Sequence, residues 1–159
     1  MKITIASVGN IKEKYLKDAI LEYSKRISKY ANVSFVNVTD EPIKENASLK
    51  EEEQIKNKEA IALLKAIPAN SYKVVLDLKG EMLTSPELAK KIDNIFAYNN
   101  SNICFIIGGS LGLGKEILDA ADYHLCFSKM TFPHQLMQVI LLEQIYRAFK
   151  INNNEIYHK

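Results

Sequence analysis

Short apolar runs alternate along the chain with stripes of apolar residues spaced three and four apart. Lys2–Val8 reads as a buried strand ending at Gly9-Asn10. From Lys12 to Tyr30, the positions Tyr15, Leu16, Ala19, Ile20, Tyr23, Ile27 and Tyr30 mark one face of a helix. Val33–Val38 reads as a second strand. After the polar loop Asp40–Ala47, Ser48-Leu49-Lys50-Glu51 has the spacing of a capping box and opens a helix to about Lys65. That helix is mostly charged, which predicts a surface position and a solvated Lys50–Lys58 face. Lys73–Leu78 is a third strand, Lys79-Gly80-Glu81 a turn, and Ser85-Pro86 the start of a helix with serine as its cap. Asn102–Ile107 is a fourth strand. A glycine-rich turn and a short helix near Lys115–Ala121 lead to a fifth, Tyr123–Phe127, and the last helix runs from about His134 to Lys150. Apolar strands alternating with helices predict an α/β fold, with a parallel sheet covered on both faces in one domain spanning residues 1–159.

The last helix carries two apolar stripes. Leu136, Met137, Ile140, Leu141, Ile145, Ala148 and Phe149 form one, and Val139, Leu142 and Tyr146 the other. A helix covering one side of a sheet needs a single stripe. The second stripe fits either a deeply buried helix or a helix held between its own sheet and a second subunit. The chain is too short to surround a helix completely, which favours the dimer.

Composition changes this picture little. The chain has 159 residues, 47% hydrophobic and 25% charged, with a net charge of +2, as an ordinary globular domain does. No apolar run is long enough to span a membrane, and the Met1–Ile5 start turns polar by Ser7 and Asn10, unlike a signal peptide. Cys104 and Cys126 lie in apolar strands and read as buried thiols. With three scattered histidines they have no metal-ligand spacing, so no metal is expected. A cytoplasmic protein follows. The charge is far from a polybasic footprint, although the stretch 129–159 is weakly basic.

Three clusters carry candidate chemistry. Gly108-Gly109-Ser110-Leu111-Gly112-Leu113-Gly114 follows a strand, where parallel sheets bind ligands, and glycines there admit positive φ and close backbone approach. It matches neither the dinucleotide nor the phosphate-loop pattern, and a plain tight turn is the competing reading. Phe127-Ser128-Lys129-Met130-Thr131-Phe132-Pro133-His134-Gln135 mixes apolar and hydroxyl side chains between the fifth strand and the last helix. That lining suits a flat apolar base, or else a connector that caps the core. Glu155-Ile156-Tyr157-His158-Lys159 offers a stacking ring, a group titrating near neutrality and a cation, on a segment of a kind that usually frays.

Taken together, the Gly108–Gly112 turn, the Phe127–Leu136 run, Glu143-Gln144-Ile145-Tyr146-Arg147-Ala148 and the final Tyr157-His158-Lys159 resemble the bacterial ribosomal RNA large-subunit methyltransferase H family, minimal members of the SPOUT methyltransferases. The resemblance covers the whole chain. It implies a SPOUT fold whose C-terminal part forms a trefoil knot, and a homodimer. It also implies S-adenosylmethionine-dependent methylation of N3 of a pseudouridine in large-subunit ribosomal RNA, within the assembled 70S ribosome. Cofactor contacts carry over to Leu76, Gly108 and the loop Phe127, Ser128, Lys129, Met130, Thr131 and Phe132. The tail residues Tyr157, His158 and Lys159 would reach the active site of the partner subunit. Where the family often has proline before Tyr-His, this chain has Ile156, and Asn152-Asn153-Asn154 is more polar than expected.

The implied chemistry needs N3 to lose its proton, through a base, through stabilisation of the anion, or through alignment of the two reacting centres. His158 is the one tail residue able to act as a base near neutrality, and it is equally able to stack on a nucleobase. Lys159 and Arg147 suit phosphate or oxyanion contact. The competing functions are a ribosome-binding factor without a cofactor pocket, and a nucleotide-phosphate enzyme using Lys115 and Glu116 beside the glycine turn.

Overall fold

In the computed structural model, which describes residues 1–159, strands β1 (Lys2–Val8), β2 (Asn32–Val38), β3 (Tyr72–Met82), β4 (Asn102–Ile107) and β5 (Tyr123–Cys126) form one sheet. All neighbours are parallel, in the order β2-β1-β4-β3-β5. Side chains alternate across each strand. Ile3, Ile5, Phe105 and Val74 therefore face helices α1 (Lys14–Ile27), α3 (Ser85–Asn94) and α5 (His134–Asn152). Ala6, Val8, Ile106 and Val75 face α2 (Leu49–Ala66) and α4 (Lys115–Ala120). Burial on both faces is why these strands are nearly continuous apolar runs. Cys104 lies within one of these cores, and its burial pushes the thiol up to about 12. No helix is long and apolar enough to cross a membrane.

Ser48 and Glu51 form the expected capping box. Three expectations fail. Thr84, not Ser85, caps α3, because Thr84 and Glu87 make a second capping box one residue earlier; Ser85 instead donates to Gln144 on α5 at 2.7 Å. The expected turn at Lys79-Gly80-Glu81 is part of β3. The pairing with β5 slips between Leu76 and Glu81, so residues 77–80 form an excursion within the strand. Gly80 permits it: a Cβ there would sit 2.7 Å from the His124 carbonyl. The third concerns α5, which packs between α1 and α3. Leu142 of the second stripe, favoured as the face towards a second subunit, is fully buried in the subunit core, while Leu136 of the first stripe is 40% exposed.

Candidate functional site

The carboxyl ends of β3, β4 and β5 open into one cavity of about 380 Å³. The excursion in β3 contributes Leu76, Asp77 and Leu78. The turn after β4 contributes Ile107 to Leu113. The segment after β5 contributes Phe127, Ser128, Met130, Thr131 and Phe132, and α5 closes the space with His134 and Met137. The size is that of a small-molecule site. Of the residues expected at a cofactor, Leu76, Gly108, Phe127, Ser128, Met130, Thr131 and Phe132 meet here, whereas Lys129 points to solvent and does not line the space.

The glycine turn is built by its own backbone. Gly112 has φ +88°, a conformation that side chains disfavour, and its N–H donates to the Gly109 carbonyl at 3.0 Å. A Cβ at Gly108 would lie 2.8 Å from the Gly112 carbonyl carbon. Gly108 thus closes the turn, and the bare backbone at the cavity wall follows from that closure. After β5, the Ser128 hydroxyl accepts from the Met130 N–H at 3.0 Å, and the Cys126 thiol donates to the Ser128 carbonyl at 3.2 Å. These contacts hold the segment in a curve around the cavity. Asp77 is the one carboxylate on the wall, with the His124 imidazole 3.0 Å away on β5. Asp77 and Met137 escape sequence reasoning, because only the slipped register and the path of α5 bring them in.

The tail lies elsewhere in the subunit. Helix α5 ends in a Schellman motif: the Glu155 N–H donates to the Lys150 carbonyl and the Asn154 N–H to the Ile151 carbonyl, with Asn154 at φ 54°. Asn152 donates to the Ala89 carbonyl at 2.9 Å. The chain then doubles back along α5. The Tyr157 hydroxyl donates to Glu143 at 3.0 Å, and its ring packs on Tyr146 at 5.0 Å and under the Arg147 guanidinium at 4.7 Å. Burial and the Glu143 carboxylate raise the pKa of Tyr157. Arg147 also binds Glu143 at 2.6 Å and lies 3.2 Å from His158 Nδ1. Tyr157, His158 and Lys159 do not line the cavity of their own subunit. Arg147 stands ten residues beyond Met137 on α5, about 15 Å by helical rise. No cluster of His, Cys, Asp and Glu side chains has an arrangement that could hold a metal ion.

The sequence matches those of known proteins over essentially its full length. A family model described as "Predicted SPOUT methyltransferase" matches residues 1–158. The sequence is 59% identical to a Clostridium botulinum (strain Alaska E43 / Type E3) protein named "Ribosomal RNA large subunit methyltransferase H", covering all of both chains. A protein of the same name from Ruminiclostridium cellulolyticum is 55% identical with the same coverage. Among solved structures, a probable methylase family protein from Haemophilus influenzae Rd KW20 shares the fold, with a TM-score of 0.55 at 15% identity over 99% of this chain and 70% of that one.

Proposed function

The chain belongs to the SPOUT methyltransferase family, and from that premise we propose that it methylates N3 of a pseudouridine in large-subunit ribosomal RNA, on the assembled 70S ribosome, with S-adenosylmethionine as donor. One observation carries the reading: three strand ends and the start of α5 enclose a single cavity whose wall is largely bare backbone and apolar side chains. A flat adenine and a short aliphatic chain suit such a lining. Leu76, the Gly108 turn and the Phe127–Phe132 segment would hold the cofactor. When bound, S-adenosylmethionine supplies a methyl group already activated on a sulfonium.

The protein acts as a cytoplasmic homodimer. Met130 is 73% exposed, and Phe132 and Leu136 are also exposed, beside the cavity at the start of α5. An apolar group in this position calls for a cover, and a two-fold partner supplies one along with its own tail. Knotting of the C-terminal segment fits the chain path, in which the Phe127–Phe132 segment leaves edge strand β5, runs along the glycine turn, and feeds α5 back onto the α1–α3 face.

The tail's hydrogen bonds support a role for it in the reaction. The guanidinium of Arg147 lies 3.2 Å from His158 Nδ1, and arginine can only donate. Held by that contact, the His158 ring offers its other nitrogen, Nε2, to the substrate. It serves the reaction by donating to a uracil carbonyl oxygen, where charge accumulates as N3 gives up its proton to water. Arg147 adds positive charge behind it, Tyr157 offers a face for stacking, and Lys159 a contact to phosphate. Incubating the protein with unmodified ribosomes and methyl-labelled S-adenosylmethionine, followed by mass spectrometry of the nucleosides, tests the reading. Labelled N3-methylpseudouridine is expected; label on another nucleoside, or none, rejects it.

A further inference from the structure

Helix α2 grips the glycine turn at both ends. A Cβ at Gly114 would lie 2.5 Å from the Lys56 carbonyl oxygen, so helix and turn touch backbone to backbone. One turn further along α2, Glu59 is only 4% exposed, and its Oε2 has no hydrogen-bond partner. That oxygen lies 3.4 Å from where a Gly109 Cβ would stand, beside Val8. A buried, unpartnered carboxyl oxygen is costly, and more so when ionised. The backbone beside it is the glycine turn, Gly108–Gly112.

We propose that Glu59 is a positioning residue for the cofactor site: its sealed carboxyl supports the glycine turn from behind, and the seat of the turn depends on whether that carboxyl carries a proton. This rests on the reading of the cavity as a cofactor site. Protonated, Glu59 fills its niche as a neutral group, and the turn presents its backbone to the cavity. Ionised, Oε2 demands a donor, and the turn's amides rotate towards it and away from the ligand. Burial first, then the nearby Asp40 carboxylate, push Glu59 up to about 7. The Glu41 backbone opposes that rise, whereas the Glu41 charge adds to it. Other neighbours do not neutralise the site. Lys58 is paired with Glu41 at 3.3 Å, Lys56 with Glu53 at 2.8 Å, and Val8 and Gly109 bring no charge.

The test follows the backbone amides of Gly108, Gly109 and Ser110 by NMR in the full-length protein without cofactor, from about pH 5.5 to about pH 8.5. S-adenosylmethionine affinity is measured by calorimetry over the same range. The amides are expected to titrate together with a midpoint near 7, and affinity to fall several-fold across it. In Glu59→Gln both responses vanish while binding stays at the acid-side level. Gly109→Ala sets a methyl against Oε2 and is expected to move the midpoint upward. Flat amides in the parent overturn the proposal, as does a titration unchanged in Glu59→Gln, an unmoved midpoint in Gly109→Ala, or an affinity indifferent to the transition. If the amides titrate as expected but S-adenosylmethionine binds at no pH, the cofactor reading falls and the hold of Glu59 on the turn stands.

Discussion

A valine at position 108 would meet the Gly112 carbonyl carbon from its Cβ onward, at 2.8 Å, so Gly108→Val opens the turn rather than merely filling the cavity. S-adenosylmethionine affinity is expected to drop at least about tenfold, or about 1.4 kcal/mol, with the fold intact by circular dichroism; undiminished binding in calorimetry would contradict the assignment. Glu59 makes a second prediction at this scale. The folded chain holds a proton on Glu59 up to about pH 7, whereas the unfolded chain releases it near 4.5. Its contribution to stability is therefore present below about 4.5 and lost as pH rises towards 7 and beyond. Glu59→Gln should leave the melting temperature unchanged at about pH 4 and raise it by a few degrees at about pH 8; an equal shift at both would show that ionisation is not the cause. Glu59 was hidden in the sequence. It stands in a run of charges that predicts a solvated face, yet its helical position shares the inner side with Ala60 and Leu63. The Gly108 signal was legible, because glycines clustered directly after an apolar strand mark a tight turn at the ligand-binding end of a sheet. Its reason, closure on Gly112, was not, since it depends on the path of the turn.

Helix α5 shows what periodicity can and cannot convey. Two apolar stripes were plain, but which one faces outward depends on the groove between α1 and α3, which no local pattern encodes. Leu142→Lys would bury an unpaired charge in the subunit core, at a cost of several kcal/mol, and the chain is expected to lose its cooperative thermal transition. Leu136→Glu, on the exposed side, should instead yield folded monomers in size-exclusion chromatography with light scattering. A dimer that survives Leu136→Glu would move the interface off this part of the helix. The polar Asn152–Asn154 run, odd in the sequence, serves the end of the helix. Asn152 ties that end to α3, and Asn154 takes the left-handed position of the Schellman motif. Ile156, 93% exposed on the reversed segment, has no contact that explains it.

At the scale of the molecule, the parallel sheet and its two covered faces were legible because strands buried on both sides are apolar throughout. Strand order was not, and with it the meeting of β3, β4 and β5 at one cavity stayed out of reach of residue patterns. The tail's place also had to come from three dimensions. Within one subunit Tyr157 and His158 are held against Glu143 and Arg147, outside their own cavity; in the proposed homodimer, a partner's tail would complete each pocket. Deleting Tyr157–Lys159 should leave S-adenosylmethionine binding nearly unchanged and abolish methyl transfer, and Gly108→Val should lose both. The most direct measurement mixes these two inactive proteins under conditions where subunits are shown to exchange, and assays methylation of ribosomes. In half of the sites of the mixed dimer, an intact pocket from the truncated subunit faces an intact tail from the Gly108→Val subunit, and activity is predicted to return. Exchange without activity would mean that each tail serves its own pocket, contradicting a site shared between subunits.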